Sequence, residues 1–527
     1  MRLRLRPEHL FPIALLACLF AFVSTHPIRP HDFWWHLAAG KQIVTTGHIP
    51  TTDSYSYTAP GAPYPSYQVY WLAEAMLYLA YAAGGVQMNI FAHAVLVTAT
   101  YGLLLLLCFR LSGSWKVATV CGVAAAALGF ENWNLRPQAL AYLCGVVYLW
   151  LIYSERKAGA GEMPAPRGLG GTAGGPRSAP TGERGAGGAR CGSWNVALFP
   201  LVMVVWVNCH GSFPIGLMLI GLWLLESVVR YRRDREVPFG SAAVPAVALL
   251  SALAAVWFNP QHFGIIAYLR DMQANTVVQG LPEWAPASLA TKDGIAFFLV
   301  LAASVVMIAW AGKRGRVGVF EALTFVLFAA LAWKTGRAIV WFGLVVAPVW
   351  AGMGRRQRVE VGEVAIGDRS YRERQEGAAG RVEVVDGRAA TACGRMGSAP
   401  TGEAAERGLV VDGRAQGSAP TGSQVGGADR VMVPVLMALF VALVIVALPW
   451  FKGYLPLPPQ KAPLLSLETP VRSTAWLLEH NPPGRLFHHM SYGSYLIWAA
   501  PGRYQVFVDP RVELYSPEIW QEYDVLS

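Results

Sequence analysis

Charge is scarce in this sequence. Asp, Glu, Lys and Arg supply 14% of its 527 residues, where soluble domains carry roughly 25%, and that shortage argues against an ordinary soluble fold. Nucleotide-binding signatures are missing: there is no GxxxxGKS/T and no GxGxxG after a strand pattern, so the sequence offers no footing for nucleotide chemistry. Cysteine is sparse as well. The seven cysteines are scattered without a CxxC or Cys/His ligand spacing, so no metal site is expected. Cys18, Cys108, Cys121, Cys144 and Cys209 lie in or beside apolar runs and read as small core residues.

What is abundant is apolar: 54% of the chain is hydrophobic, which places it among polytopic membrane proteins. The net charge of +10 is gathered between apolar runs, as in cytoplasmic loops, and calls for no nucleic acid. The opening MRLRLRPEHLFPIALLACLFAFVST has the make-up of a signal peptide, but no small-x-small cleavage site follows, so an uncleaved first span is expected.

Apolar runs fall near 10–25, 88–109, 117–131, 138–153, 194–210, 214–229, 241–258, 294–311, 319–333, 338–352 and 431–450. The segment 68–83, QVYWLAEAMLYLAYAA, is short, rich in Tyr and Trp, and carries Glu74; it reads as a helix lying at the membrane surface. Loop charge supports that choice. With 68–83 not crossing, Arg110/Lys116, Arg156/Lys157, Arg230/Arg232/Arg233/Arg235, Lys313/Arg314/Arg316 and Arg355/Arg356/Arg358 fall on the same side as Arg2/Arg4/Arg6, as the positive-inside rule demands.

The expected fold is therefore an all-α polytopic membrane protein of about eleven transmembrane helices, with its N-terminus inside and a C-terminal tail outside. A first membrane module, 1–153, carries a long external loop, 26–87. A second module occupies 194–353 and a last span 431–450. The inserts 154–193 and 354–430 are Gly/Ala/Arg-rich, repeat SAPTG three times and VVDGRA twice, and bury too little apolar surface to fold, so disorder is expected there. The tail 451–527 reads as a small external α/β segment: a helix over 469–481 and short strands within 485–500 and 503–515. It stops at EYDVLS without an evident closing element, which fits a truncated relative of longer chains.

This topology sends the uncommon polar groups outward: His31, Asp32 and His36 in PHDFWWHLAAGK; Asp53; Glu74; Arg136 and Gln138 in ENWNLRPQ; Asn208 and His210 in VNCHGSF; NPQHFG; Glu283 in LPEW; and Arg337 in WKTGR. Each has a plainer role available. Trp34 and Trp35 fit an interfacial aromatic belt. His36, four residues after Asp32, would share its helix face. Asp53 could close an Asx turn, and Asn259-Pro260 is sufficiently explained as a turn. Arg136 and Arg337 could snorkel, yet an external arginine also suits an anionic partner. Asp32 is the strongest candidate for a base, since a carboxylate at the mouth of a span can deprotonate an acceptor.

The short N-terminus, a first span ending in external Asp32, a long first external loop with the surface helix YWLAEAMLYLAYAAGG (70–85), and many further spans resemble the membrane glycosyltransferases of the GT-C type, which include protein O-mannosyltransferases and lipid A aminoarabinose transferases. DFWWHLAAGKQIVTTGHIPTTDSYSYTAPG and SYGSYLIWAAPGRYQVFVDPRVELY are also similar to a group of bacterial membrane proteins. The resemblance implies a sugar donor on polyprenyl phosphate, arriving laterally from the lipid, and a protein, lipid or glycan acceptor at the outer face of a bacterial inner membrane. It makes Asp32 the base, with Asp53 as the alternative because Asp32 is followed by Phe33 where protein mannosyltransferases carry an acidic pair. The outward polar clusters offer His36, Glu74, Arg136, Gln138, Asn208, His210, Glu283 and Arg337 as substrate contacts, and the resemblance gives Arg136 or Arg337 the neutralising of the departing phosphate. It implies no organic cofactor and leaves any metal requirement open. The competing expectations are a transporter, flippase or polysaccharide-export component, and a non-catalytic envelope scaffold.

Overall fold

Apolar runs too long for a loop become helices here, and polar punctuation ends them. A computed structural model of the protein describes residues 6–161, 194–234, 240–354 and 427–527; both expected inserts fall almost wholly outside these residues. The helices are α1 (Leu10–Thr25), α2 (Phe33–Thr46), α3 (Ser66–Ser112), α4 (Trp115–Gly129), α5 (Gln138–Gly161), α6 (Trp194–Val207), α7 (Pro214–Arg233), α8 (Gly240–Ala255) and α9 (Gly264–Ala274). After them come α10 (Thr276–Gln279), α11 (Lys292–Gly312), α12 (Val319–Lys334), α13 (Ile339–Met353), α14 (Gly427–Val446), α15 (Val471–His480), α16 (Met490–Ala499) and α17 (Pro517–Leu526). The Ser114 hydroxyl accepts from Val117 N and that of Thr291 from Gly294 N, capping α4 and α11. Pro214 opens α7, where its missing N–H costs nothing.

Among the described residues, six helical stretches are long and apolar enough to cross a membrane: Pro7–Thr25, Ser66–Ser112, Pro214–Arg233, Ser241–Phe258, Lys292–Gly312 and Gly336–Met353. Every apolar run of the sequence lies on a helix. Apolar side chains face outward along them, including Leu250, Leu299, Val306 and Leu439, while tryptophans Trp257, Trp310, Trp333 and Trp450 are exposed near helix ends. A greasy flank with indoles at its margins is the surface of a membrane-embedded protein. The centre is α13, buried on nearly every side, with Trp341 stacked on Trp206 at 5.7 Å between ring centroids.

The surface-helix segment and the second apolar run form one 47-residue element, α3, broken at Gly84 and Gly85. Gly85 adopts φ 65°, ψ −154°, a conformation open in practice only to glycine. The break separates the half carrying Glu74 from the half carrying Arg110.

Four helices join two polar ends of the bundle. Arg136 lies just before α5 and Arg156 within it; His210 lies before α7 and Arg230 within it. The Glu283 loop precedes α11 and Arg316 follows it; Glu321 is in the first turn of α12 and Arg337 follows its end. From Gln138 to Arg156 the rise is roughly 27 Å at 1.5 Å per residue, close to the ~30 Å of a hydrocarbon core. At the Arg156 end, the guanidinium reaches Glu226 at 2.7 Å and Glu321 at 2.6 Å. Arg110 donates to Ser154 there, and His9 meets Trp115 edge-on, so the start of α1 and the end of α3 share that end.

The expected α/β tail is corrected. Among the described residues there is no strand, only isolated bridges such as Ile28 with Leu465 and Ser56 with Val506. The stretch read as a strand over 485–500 is α16 instead. Its buried positions Gly493, Ser494, Leu496 and Ile497 follow helical spacing. A Cβ at Gly493 would stand 2.6 Å from the Val508 carbonyl oxygen; the glycine lets the helix lie against the 507–509 backbone. α16 also covers α2, with Trp35 N donating to Ser494 Oγ at 3.1 Å. Trp34 and Trp35 are consequently buried, at 2% and 4% exposure. The interfacial belt expected of them is corrected to a packing role beneath the tail. Cys18 likewise departs from expectation by facing outward from α1, whereas Cys108, Cys121, Cys144 and Cys209 are buried.

Candidate functional site

Asp32 stands at the start of α2, and Arg136 sits in a bend just before Pro137 and α5. Glu283 sits in the turn Pro282–Trp284 and Arg337 in the turn Gly336–Ala338. Those two turns are sewn together: Gly336 N donates to Ala285 O at 2.9 Å, and Ala287 N to Trp333 O at 3.0 Å. Four charges from four segments thereby meet. Arg136 Nε lies 2.7 Å from Asp32 Oδ2 and its Nη1 3.2 Å from Glu283 Oε2. Arg337 Nη2 lies 3.4 Å from Glu283 Oε1 and its guanidinium covers the Trp284 ring at 5.2 Å.

The chain of contacts alternates acid, base, acid, base. The side chains of Asp32 and Arg136 keep 21% and 24% of their surface exposed, so a ligand can reach them. Burial alone would raise the Glu283 carboxyl, but Arg337 and Arg136 outweigh it and hold the group below the usual carboxylate range. Burial lowers His31 against the pull of Asp32, with Arg136 and Arg29 assisting. A cleft lined by His26, Arg29, His31, Asp32, His93 and Arg136 opens beside the pair. The tail closes one margin, Ile28 N donating to Leu464 O at 2.9 Å and Ser466 N to Ile28 O at 2.8 Å.

Deeper in, His36 Nδ1 lies 2.9 Å from Glu74 Oε1, and both side chains are buried. Gly40, one turn after His36 on the same face, makes this approach possible: a Cβ there would stand 2.0 Å from the Glu74 carbonyl oxygen. Tyr70 spans the space between His36 and His210, with ring centroids at 5.3 Å and 5.6 Å. Burial, then Arg337 and Arg136, push His210 down to about 3, so it presents a neutral imidazole, with Nδ1 2.9 Å from Ser212 Oγ. Glu74 Oε2, Trp35 Nε1, Trp284 Nε1 and Tyr142 Oη are buried without a hydrogen-bond partner. Such atoms ask for a water or a ligand.

Not every sequence candidate joins. Asn208 is buried and saturated: its Oδ1 accepts from Trp71 Nε1 at 2.6 Å, and its Nδ2 donates to Val204 O at 2.8 Å. It ties α6 to α3. Gln138 opens α5 and is buried. His210 and Arg337 do not line the Asp32 cleft; Arg337 connects to its Arg136 through Glu283, whereas His210 meets Tyr70 beside the His36–Glu74 pair.

Asp53 lies elsewhere altogether. Its Oδ1 is 2.6 Å from Arg511 Nη1, its Oδ2 accepts from Ser56 N at 2.9 Å and Ser56 Oγ at 2.6 Å, and the pair is fully buried. Arg511 is gripped on its other side by Asp509, through Nε at 2.9 Å and Nη2 at 2.6 Å. Tyr67 Oη accepts from Arg511 Nη1 at 2.7 Å. Buried and with both oxygens hydrogen-bonded, Asp53 anchors the DPR turn of the tail and stands apart from the Asp32 cluster, where the sequence reading held it as an alternative base. Sequence reading passed over Tyr70, Arg29 and Arg511. Arg29 was signalled by its place just before the HDFWWH cluster, but Tyr70 and Arg511 carried no local signal.

Compared with known proteins, the sequence matches no family model and no curated relative.

Proposed function

We propose that the protein is an integral membrane glycosyltransferase that moves a sugar from a polyprenyl-phosphate donor to an acceptor hydroxyl or amine on the non-cytoplasmic face. The observation that carries this reading is the meeting of Asp32, Arg136, Glu283 and Arg337 at one end of the helix bundle. A lipid-phosphate donor needs cations where phosphate charge develops and a base beside the acceptor. Both are present within one contiguous set. Asp32 Oδ1 has no partner among the described residues and takes the acceptor proton. The acceptor heteroatom then bonds to the anomeric carbon while the bond from that carbon to the phosphate oxygen breaks. The phosphate leaves on its polyprenyl chain, its new charge met by Arg337 and Arg136.

Glu283 bridges the two guanidinium groups as a phosphate would. In the resting protein it keeps the arginines paired, and the donor phosphate displaces it. Orientation draws support from the other end of the bundle, where Arg110, Arg156, Lys157, Arg230 and Arg316 gather; a cytoplasmic surface carries that excess.

The test is transfer of labelled sugar from a polyprenyl-phosphate donor by purified wild type and Asp32→Asn. Transfer by the wild type and its loss in the variant supports the reading. Movement of intact donor across vesicles without transfer would identify a flippase instead.

A further inference from the structure

Arg110, Arg156, Lys157, Arg230 and Arg316 line a single cleft at the bundle end remote from Asp32. They are not equivalent. Arg156 spends its fork on two carboxylates, with Nε and Nη2 on Glu226 at 2.7 Å and 2.8 Å, and Nη1 on Glu321 at 2.6 Å. Arg230 shares Glu226 at 2.8 Å. Arg110, Lys157 and Arg316 have no acidic partner among the described residues. Arg110 is nevertheless held in place, its guanidinium over the Trp150 ring at 5.3 Å and Nη1 donating to Ser154 Oγ at 2.6 Å. A fixed guanidinium with donors to spare is a preorganised phosphate contact.

The cleft has a second character. Leu107 and Leu111 from the last turns of α3, and Val349 and Met353 from the last turns of α13, form an apolar wall beneath the cations. Leu107, Val349 and Met353 are themselves buried and Leu111 half-buried, so they give the cleft an apolar edge that a free anion would not use. An amphiphile with a phosphate head and an acyl chain uses both.

We infer that this cleft is a binding site for an anionic phospholipid, its phosphate held between Arg110, Lys157 and Arg316 and its first acyl carbons laid against the α3–α13 wall. The site depends on the membrane character of the chain and is independent of the transfer chemistry proposed at the other end.

The experiment follows thermal unfolding of the delipidated full-length protein in neutral detergent, titrated with phosphatidylglycerol, phosphatidylcholine or sodium phosphate. Phosphatidylglycerol is expected to raise Tm saturably, with no comparable rise from the other two. Arg110→Gln/Arg316→Gln is expected to lose that rise, whereas Arg472→Gln, on the exposed face of α15, keeps it. Should the double variant fail to fold, Lys157→Gln serves, with apparent affinity for phosphatidylglycerol falling about fivefold, the value of one cation near an anionic surface. Equal stabilisation by phosphatidylcholine overturns the proposal, as does full retention of the shift in the folded variants. Equal stabilisation by sodium phosphate overturns it too, in favour of a free-anion site.

Discussion

Asp32 Oδ2 lies 2.7 Å from Arg136 Nε, and both residues line the open cleft. Replacing Asp32 with Asn removes the proposed proton acceptor while Arg136 keeps Glu283 at 3.2 Å. Transfer is expected to fall about 10²- to 10⁴-fold, with Tm little changed because the pair is partly exposed. Single-turnover transfer alongside a thermal melt checks this; an unaltered rate would remove Asp32 from the chemistry.

The two partners of the phosphate site should respond in opposite directions. Arg337→Gln removes a charged donor, worth about 1.5–3 kcal/mol, and is expected to weaken binding of the polyprenyl phosphate product by roughly 10- to 100-fold. Glu283→Gln removes the competing anion and is expected to tighten it. Equilibrium binding of labelled polyprenyl phosphate measures both, and weaker binding by Glu283→Gln contradicts the displacement idea.

Lys452 follows α14 and is buried, with Nζ donating to Pro463 O at 2.8 Å. Burial pushes its ammonium down to about 8 from 10.5. Between those values the unfolded chain binds the proton and the folded one does not, so stability is expected to rise with pH across that window. Melts at pH 7, 9 and 10.5 should show the rise, and Lys452→Met should flatten it. A fall in stability specific to the wild type would contradict the assignment.

Gly40 and Gly221 make a matched pair of helical glycines. An alanine Cβ at Gly40 would stand 2.0 Å from the Glu74 carbonyl oxygen, whereas Gly221 has nothing within 4 Å. Gly40→Ala is expected to cost about 1–3 kcal/mol and to pull His36 from Glu74. Gly221→Ala is expected to be neutral or to stabilise by up to about 1 kcal/mol. Unfolding of the two variants side by side decides it; similar stabilities would mean that α2 and α3 do not pack this closely.

The helical framework was legible because apolar runs of sufficient length admit few alternatives, and each run lies on a helix. Several polar candidates were legible too: Asp32, Arg136, Glu283 and Arg337 stood out as charges between apolar segments, and the fold brings these four together. Their pairings were not readable. Glu283 meets Arg136 across 147 positions, a relation that only tertiary packing creates. SYGSYLIW misled in a different way. Its aromatic and branched residues favour a strand, but Gly493 gives α16 a flat side to set against the 507–509 backbone, and packing prevailed over propensity. Trp34 and Trp35 misled because a belt and a buried contact use the same residue type, and only the position of α16 tells them apart.

Arg511 and Asp53, joined at 2.6 Å and fully enclosed, stand 458 positions apart. The first loop therefore waits, during synthesis, for a guanidinium that the ribosome delivers 458 positions later. Until it arrives, Asp53 must remain hydrated and the packing around Tyr64 and Tyr67 unlatched. Assembly around this ion pair is thus ordered in time: helices first, the lock afterwards.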